Sequence, residues 1–309
     1  MKKSIILAIL FGITVFTATA QCPSPATKAQ KFILNDSIIC HEMATLSQQQ
    51  AIPLHYNGTV KSFIDLYVNR RNIVTSKMLH HSYTYFPAIE AGLARHQLPN
   101  ELKYFAMVES AMNPSATSRC GRKGLWQLQP SWARQNNLIV NDYVNECYDP
   151  EVATEVACQR LAELYARYGD WLLTMVAFDT SIETVDKAIS TADGNRNYWA
   201  IQSYLPHEAR GFVPAYMALV YVMSHAAEYD LYPTCPVDIW HETETLSLTD
   251  SLMFGQIQND IGISVEELAM FNPKYLQKTI PASSEHTQTI RIPKNYAKQF
   301  KQTYKTIVL

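Results

Sequence analysis

The amino-acid sequence predicts a mainly α protein with a small α+β module at its C-terminal end. Three observations lead there. Apolar residues recur at helical spacing from Pro99 to Tyr232, broken by turn clusters. The group Pro233-Thr234-Cys235-Pro236 then punctuates the chain. Beyond it, short alternating stretches replace the helical period. This divides the sequence into a leader (1–20), an N-terminal helical extension (21–98), a main helical domain (99–235) and the module (240–309).

The leader comes first. Lys2 and Lys3 precede an apolar run, Ile5 to Phe16, and Ala18-Thr19-Ala20 offers small residues for cleavage, the pattern of a secretory signal peptide. A membrane anchor is the competing reading, but the run is short for a span. Cys22 invites lipidation after cleavage, although Gln21 stands where such sites want a small side chain. No other segment is apolar enough to cross a bilayer. The expectation is an exported protein of the periplasm or cell envelope, soluble once cleaved, with a lipid anchor at Cys22 as the second choice.

In the extension, Val60–Val74 and Tyr85–Arg95 read as helices, with packing against the main domain as their role. In the main domain the candidates are Asn100–Met112, with Asn100 as N-cap, then Pro150–Tyr168, Trp171–Phe178 and Phe212–Glu228. In the module, Thr243–Leu248 and Thr289–Ile292 alternate like strands around a helix at Asp260–Phe271.

Composition narrows the partners. With 309 residues, 47% hydrophobic and 17% charged, the chain has an ordinary globular make-up, free of low-complexity tracts and solenoid repeats. A formal net charge of -2 provides no broad basic field for nucleic acid or an anionic membrane surface. The six cysteines (Cys22, Cys40, Cys120, Cys147, Cys158 and Cys235) allow disulfides in an oxidising compartment, and none has zinc-like spacing, so no metal site is expected. Cys120 and Cys147, in loop-like stretches, are the preferred pair; Cys158, in a helical segment, also fits a buried free thiol.

The chemistry centres on Glu109. At about 100° per residue it falls on the face shared by Leu102, Phe105, Ala106 and Met112. A carboxylate among apolar groups is poorly solvated, so its pKa rises, and it then stays protonated as a general acid near neutral pH. A Glu bonded to a helix end or an Arg is the structural alternative. Asn113-Pro114 ends the helix, and a turn with Ser118, Arg119, Gly121 and Gly124 leads into Gly124-Leu125-Trp126-Gln127, turning the chain back towards Glu109. Trp126 as an aromatic wall and Gln127 as a neutral amide suit a sugar polymer; Trp126 also fits a core aromatic.

The run Glu109-Ser110-Ala111-Met112-Asn113-Pro114-Ser115-Ala116 followed by Gly124-Leu125-Trp126-Gln127 resembles the catalytic signature of soluble-type lytic transglycosylases, most closely the membrane-bound lytic murein transglycosylase D group. The similarity runs from about Val60 to Leu231, taking in Asp149-Pro150, Gly169-Asp170-Trp171 and Glu208–Pro214. The resemblance implies a lysozyme-like helical bundle with a groove for peptidoglycan glycan strands. It also implies one Glu, matched here by Glu109, acting first as acid and then as base, without metal or organic cofactor. Ser110 and Gln127 match substrate-side polar positions, and Glu208 with Arg210 match the pattern ahead of the last motif.

Two positions depart from that family. Ala177-Phe178-Asp179-Thr180-Ser181 stands where Ala-Tyr-Asn-(Ala/Ser)-Gly is usual, and Phe212-Val213-Pro214 replaces a Tyr before Val-Pro. Phe178 and Phe212 thus lack hydroxyls expected in the groove, at about 1 kcal/mol per lost hydrogen bond. Asp179 adds an anion that would raise the Glu109 pKa, helping the acid half and hindering the base half.

In the module, Ile261–Leu268, Phe271-Asn272-Pro273 and Ile290–Pro293 resemble a degenerate LysM module, with Leu248-Thr249-Asp250-Ser251-Leu252 in place of its usual opening. Binding of N-acetylglucosamine polymers and a mere packing role both fit it. For the whole chain the expectation is an exported peptidoglycan lytic transglycosylase. A non-catalytic wall-binding or scaffolding protein on the same fold is the alternative, and a hydrolytic lysozyme a lesser third.

Overall fold

Capping residues set most of the helix starts. The structure, a computed structural model, describes residues 31–233, 242–248, 250–282 and 287–304, with the backbone of 306–307. The leader, Cys22 and Cys235 lie outside the described residues. Helix α1 (Asp36–Gln48) begins where the Asn35 side chain accepts from the amides of Ser37 and Ile38. Asn57 does the same for α2 (Gly58–Asp65). The predicted Val60–Val74 helix is broken: α2 runs into a π-helical turn, Leu66–Arg70, and Arg71 ends it with a bend. Then α3 (Asn72–Arg95) absorbs Tyr85–Arg95 and carries Pro87 within it.

Pro99, extended at φ -56° and ψ 132°, leads into a 3-10 turn, Asn100–Leu102, and α4 (Lys103–Ser110). The expected cap at Asn100 is therefore corrected: Pro99 holds the cap position and Asn100 lies within the turn. The helix also stops two residues early, because Ala111 and Met112 turn left-handed at φ 53° and 60°. A short α5 (Pro130–Gln135) follows the turn region. α6 (Pro150–Tyr168) starts at an Asp149 cap with Pro150 in its first turn and ends at a left-handed Gly169, the borders that the sequence predicts. Asp170 caps α7 (Trp171–Asp179) and Ser181 caps α8 (Ile182–Thr191).

After α9 (Tyr198–Ile201), α10 (Phe212–Ser224) runs through the centre, buried without a break from Val213 to Val222. Such a helix is apolar all round because protein surrounds it. It ends before the predicted Glu228, where Ala226–Tyr229 tightens into a 3-10 turn closed by left-handed Asp230. One core holds α1–α10 together, from Ile39 and Met43 to Leu219 and Leu231. The extension shares this core: α2 packs on α10, and α3 on α6.

The module has its own core, formed by Leu246, Phe254, Ile257, Leu268, Ile290, Ile292 and Phe300 among others. β1 (Thr243–Leu248) takes the predicted borders. β2 (Leu252–Met253) then leads to α11 (Phe254–Ile261) and α12 (Val265–Phe271). The single helix expected at Asp260–Phe271 is split, because Gly262 at φ 90° ends α11 and Ser264 caps α12. β3 (Thr279–Ile280), β4 (Gln288–Pro293), α13 (Lys294–Thr303) and β5 (Thr306–Ile307) complete it. Antiparallel β4, β1 and β5 lie side by side in that order, with Thr243 opposite Pro293 and Leu248 opposite Gln288. β2 pairs with β3.

The module is seated on the helical body. Val144 bridges Tyr275, the Asn145 amide donates to the Lys274 carbonyl, and Phe271 enters the main core. Lys274, 7% exposed, pairs with Asp149 at 3.0 Å and donates to Thr289, while Arg291 pairs with Glu151. Removing one partner of a buried pair strands the other in a poor solvent. Lys274→Met should therefore destabilise the protein by about 3 kcal/mol in urea unfolding, with the Asp149 cap of α6 weakened as well.

Candidate active site

Glu109 occupies the last turn of α4, and the backbone after it is forced into reversal. Ala111 donates to the Met107 carbonyl in the left-handed conformation, and Met112 repeats that conformation. Two consecutive non-glycine residues there are costly, by roughly 1 kcal/mol or more each. The turn 113–129 that follows is stitched to itself. Lys123 bridges both Thr117 and Leu128, the Gly124 amide donates to Ala116, and the Arg122 amide donates to the Ser118 hydroxyl. Gly124 is required twice over: its φ is 80°, and a Cβ there would lie 1.8 Å from the Cys147 carbonyl oxygen.

This turn and α7 meet over Glu109. Its side chain is 2% exposed, and its Oε1 is buried without a hydrogen-bond partner. Phe105, one turn earlier, sits edge-on to Phe178 and Phe212, both centroids at 5.2 Å, with Trp126 at 6.2 Å. Arg122 supplies the nearby cation, Nη1 lying 4.0 Å from Glu109 Oε2. The same guanidinium donates to the Asp179 carboxylate at 2.8 Å and to the Asp179 carbonyl at 2.9 Å. Burial pushes the Glu109 pKa well above the ordinary carboxylate range, the Asp179 charge pushes it further, and Arg122 pulls it back. A group shifted in this direction holds its proton to higher pH than an ordinary carboxyl and can hand it to a partner.

A cavity of about 510 Å³ adjoins the cluster, lined by Arg122, Gln127, Trp132, Phe178, Asp179 and Glu208 among others. Arg122 and Asp179 thus stand on its wall and also act on the acid. The sequence-derived residues fall into two groups. Gln127, Phe178, Asp179 and Glu208 line the cavity, with Glu208 exposed. Phe212 packs on Phe105, and the Ser110 hydroxyl turns back to the Ala106 carbonyl at 3.1 Å. Gln127 donates from Nε2 to Gly124, and this bond fixes the amide plane.

Two expectations are corrected. Trp126 is no sugar-facing wall: it is fully buried, and its indole N–H donates to Thr154 at 2.9 Å, because the turn folds it inwards as a core aromatic beside Phe105 and Phe178. Trp132 is the tryptophan on the cavity, with the Arg160 guanidinium 5.9 Å from its ring centre. Cys120 and Cys147 are not paired: Cys120 is exposed and Cys147 is buried, each a free thiol, and burial pushes Cys147 up to about 11. Arg122 is the residue missed. Its signal was present, since an anion at 179 beside a buried Glu calls for a cation, and Arg122 lies in the turn that returns there. Among the described residues no group of His, Cys, Asp or Glu is placed to hold a metal.

Comparison with known proteins places these residues in a family context. Residues 86–201 match the family described as "Transglycosylase SLT domain", which takes in Glu109, Gln127 and Asp179. Residues 242–308 match "Lytic transglycosylase MltD, LysM-like domain". The chain thus combines a transglycosylase SLT domain, within its mainly helical body, with an MltD-type LysM-like domain. It is similar to "Membrane-bound lytic murein transglycosylase D" of Escherichia coli strain K12, 30% identical over 220 residues, 70% of this chain and 47% of that protein. The counterpart from strain O6:H1 gives the same figures, so the chain spans about half the length of the curated relatives it matches. Among solved structures it is similar to an inactive mutant of lytic transglycosylase Slt from Pseudomonas aeruginosa, with a TM-score of 0.38 and 19% identity, covering 50% of this chain and 26% of that one.

The raised Glu109 pKa fixes a sign for stability. The folded protein holds this proton more tightly than the unfolded chain, so the stabilisation is complete below the unfolded value, about 4.3. It is lost as pH climbs through the raised folded value. Glu109→Gln, neutral at every pH, should match the wild type in acid and become progressively the more stable protein above it. Urea midpoints of the pair across pH 4 to 9 check this.

Proposed function

We propose that the protein is an exported peptidoglycan lytic transglycosylase, cleaving between N-acetylmuramic acid and N-acetylglucosamine with Glu109 as both acid and base. The observation that carries this reading is the buried, protonation-prone Glu109 behind a cavity wall of Gln127, Phe178 and Asp179, inside the SLT match. In the first half Glu109 gives its proton to the glycosidic oxygen, the bond to C1 breaks, and the N-acetylglucosamine side leaves as an alcohol. In the second half the Glu109 carboxylate takes the proton of the C6 hydroxyl, whose oxygen closes on C1 as a 1,6-anhydro ring. Atoms balance without water, and Glu109 ends protonated as it began. A single carboxyl group suffices, whereas hydrolytic glycosidases place two across the bond.

The apolar surroundings serve the first half directly, since they keep the proton on Glu109 until the leaving oxygen needs it. Export rests on the basic, apolar and small-residue pattern of residues 1–20; no helix among the described residues is long and apolar enough to cross a membrane. The LysM-like module is the second wall-facing element, carrying its own groove of Gln256, Asn259, Gln277 and Thr279 with their neighbours.

Incubation of the protein with purified peptidoglycan should release muropeptides ending in the anhydro ring, one water lighter than hydrolysis products by mass spectrometry. Glu109→Gln should lower that release by about a thousandfold. Sacculi pulled down by a protein that releases nothing would instead establish the wall-binding alternative. Phe178→Tyr, which adds a hydroxyl on the cavity wall, should change the rate by up to about tenfold; no gain would mark a groove adapted to Phe.

A further inference from the structure

Asp179 and Arg122 come from separate parts of the fold, α7 and the turn 113–129, and meet in a two-point contact. The carboxylate takes Nη2 at 2.8 Å and the Asp179 carbonyl takes Nη1 at 2.9 Å. A guanidinium fixed at two nitrogens loses its freedom to swing. That fixation leaves Nη1 4.0 Å from Glu109 Oε2 while the side chains of Arg122 and Asp179 are only 21% and 12% exposed. Asp179 and Arg122 are the charged groups acting on Glu109; Phe105 on α4 itself, Phe178 on α7 and Phe212 on α10 bring apolar rings. An Asp179 carboxylate without Arg122 would oppose the ionised form of Glu109, and an Arg122 without Asp179 would favour that form against the opposing effect of burial.

We propose that Arg122 and Asp179 form one positioning unit for Glu109, in which Asp179 clamps the guanidinium where it serves as counter-charge to the Glu109 carboxylate formed between the two half-reactions. The proposal rests on the function given above. It explains how a chain with Asp where the resembling family has Asn keeps its base half: the anion arrives with its own cation. Burial and Asp179 hold the proton for the acid step, and Arg122 makes the carboxylate tolerable for the base step. Neither residue transfers a proton.

The test follows Glu109 itself. The full chain labelled with ¹³C at glutamate carboxyls is titrated by NMR, with the Glu109 signal assigned from Glu109→Gln. Arg122→Gln should move the midpoint up, Asp179→Asn should move it down, and the double variant should lie above Asp179→Asn. The alkaline limb of anhydro-muropeptide release should shift in the same directions, and release by Arg122→Gln should fall most where the base half limits. An Arg122 that merely braces the turn would lower thermal stability and leave the midpoint in place, and that result overturns the proposal. If Arg122→Gln does not fold, the double variant against Asp179→Asn decides, a higher midpoint supporting the proposal and an equal or lower one overturning it. The titration needs no turnover, so a chain that releases no product but shows these shifts separates failure of the activity from failure of the electrostatic assignment.

Discussion

One buried carboxyl group organises this protein. Glu109 is held at the end of α4 with its side chain buried and one oxygen unbonded, and that position is unfavourable for a charge. Much of the helical body answers to it. The left-handed pair Ala111-Met112 turns the chain immediately, so that α4 ends just beyond Glu109. The turn that follows returns an arginine, and α7 delivers the aspartate that holds it.

The same turn depends on a neighbour far along the chain. Gly124 lies against the Cys147 carbonyl, and Cys147 belongs to the segment whose next residues, Tyr148 and Asp149, open α6. Asp149 caps α6 and pairs with Lys274 of the LysM-like module, while Asn145 and Val144 bond to the same stretch of that module. The module is therefore mechanically continuous with the turn 113–129 through backbone contacts and a buried ion pair. Close packing transmits displacement in such an arrangement.

The two aromatic replacements look different in the folded chain. Phe178 and Phe212 both lie edge-on to Phe105, in the geometry that aromatic rings favour. Both rings thus pack on the residue one turn before Glu109 on α4. Phe105 also reaches Trp126, whose indole is spent on Thr154 of α6, so the acid rests on a core tied to three helices.

The sequence by itself determined the helical class, the borders of α6 and β1, and the apolar burial of Glu109. Those features depend on local signals: an Asp-Pro start and a Gly end for α6, strand alternation for β1, and a Glu on an apolar face followed by Asn-Pro. Breaks that hinge on single backbone conformations, at Arg71, Ala111 and Gly262, were less legible, because helical spacing of side chains continues across them. Only the tertiary structure decided that Trp126 is core and Trp132 faces the cavity, that Cys120 and Cys147 stay apart, and that Arg122 joins Asp179 at Glu109. Each of those is a matter of which way a turn of irregular backbone points its side chains. Residues 57 positions apart in sequence, as Arg122 and Asp179 are, have no spacing rule to announce their contact.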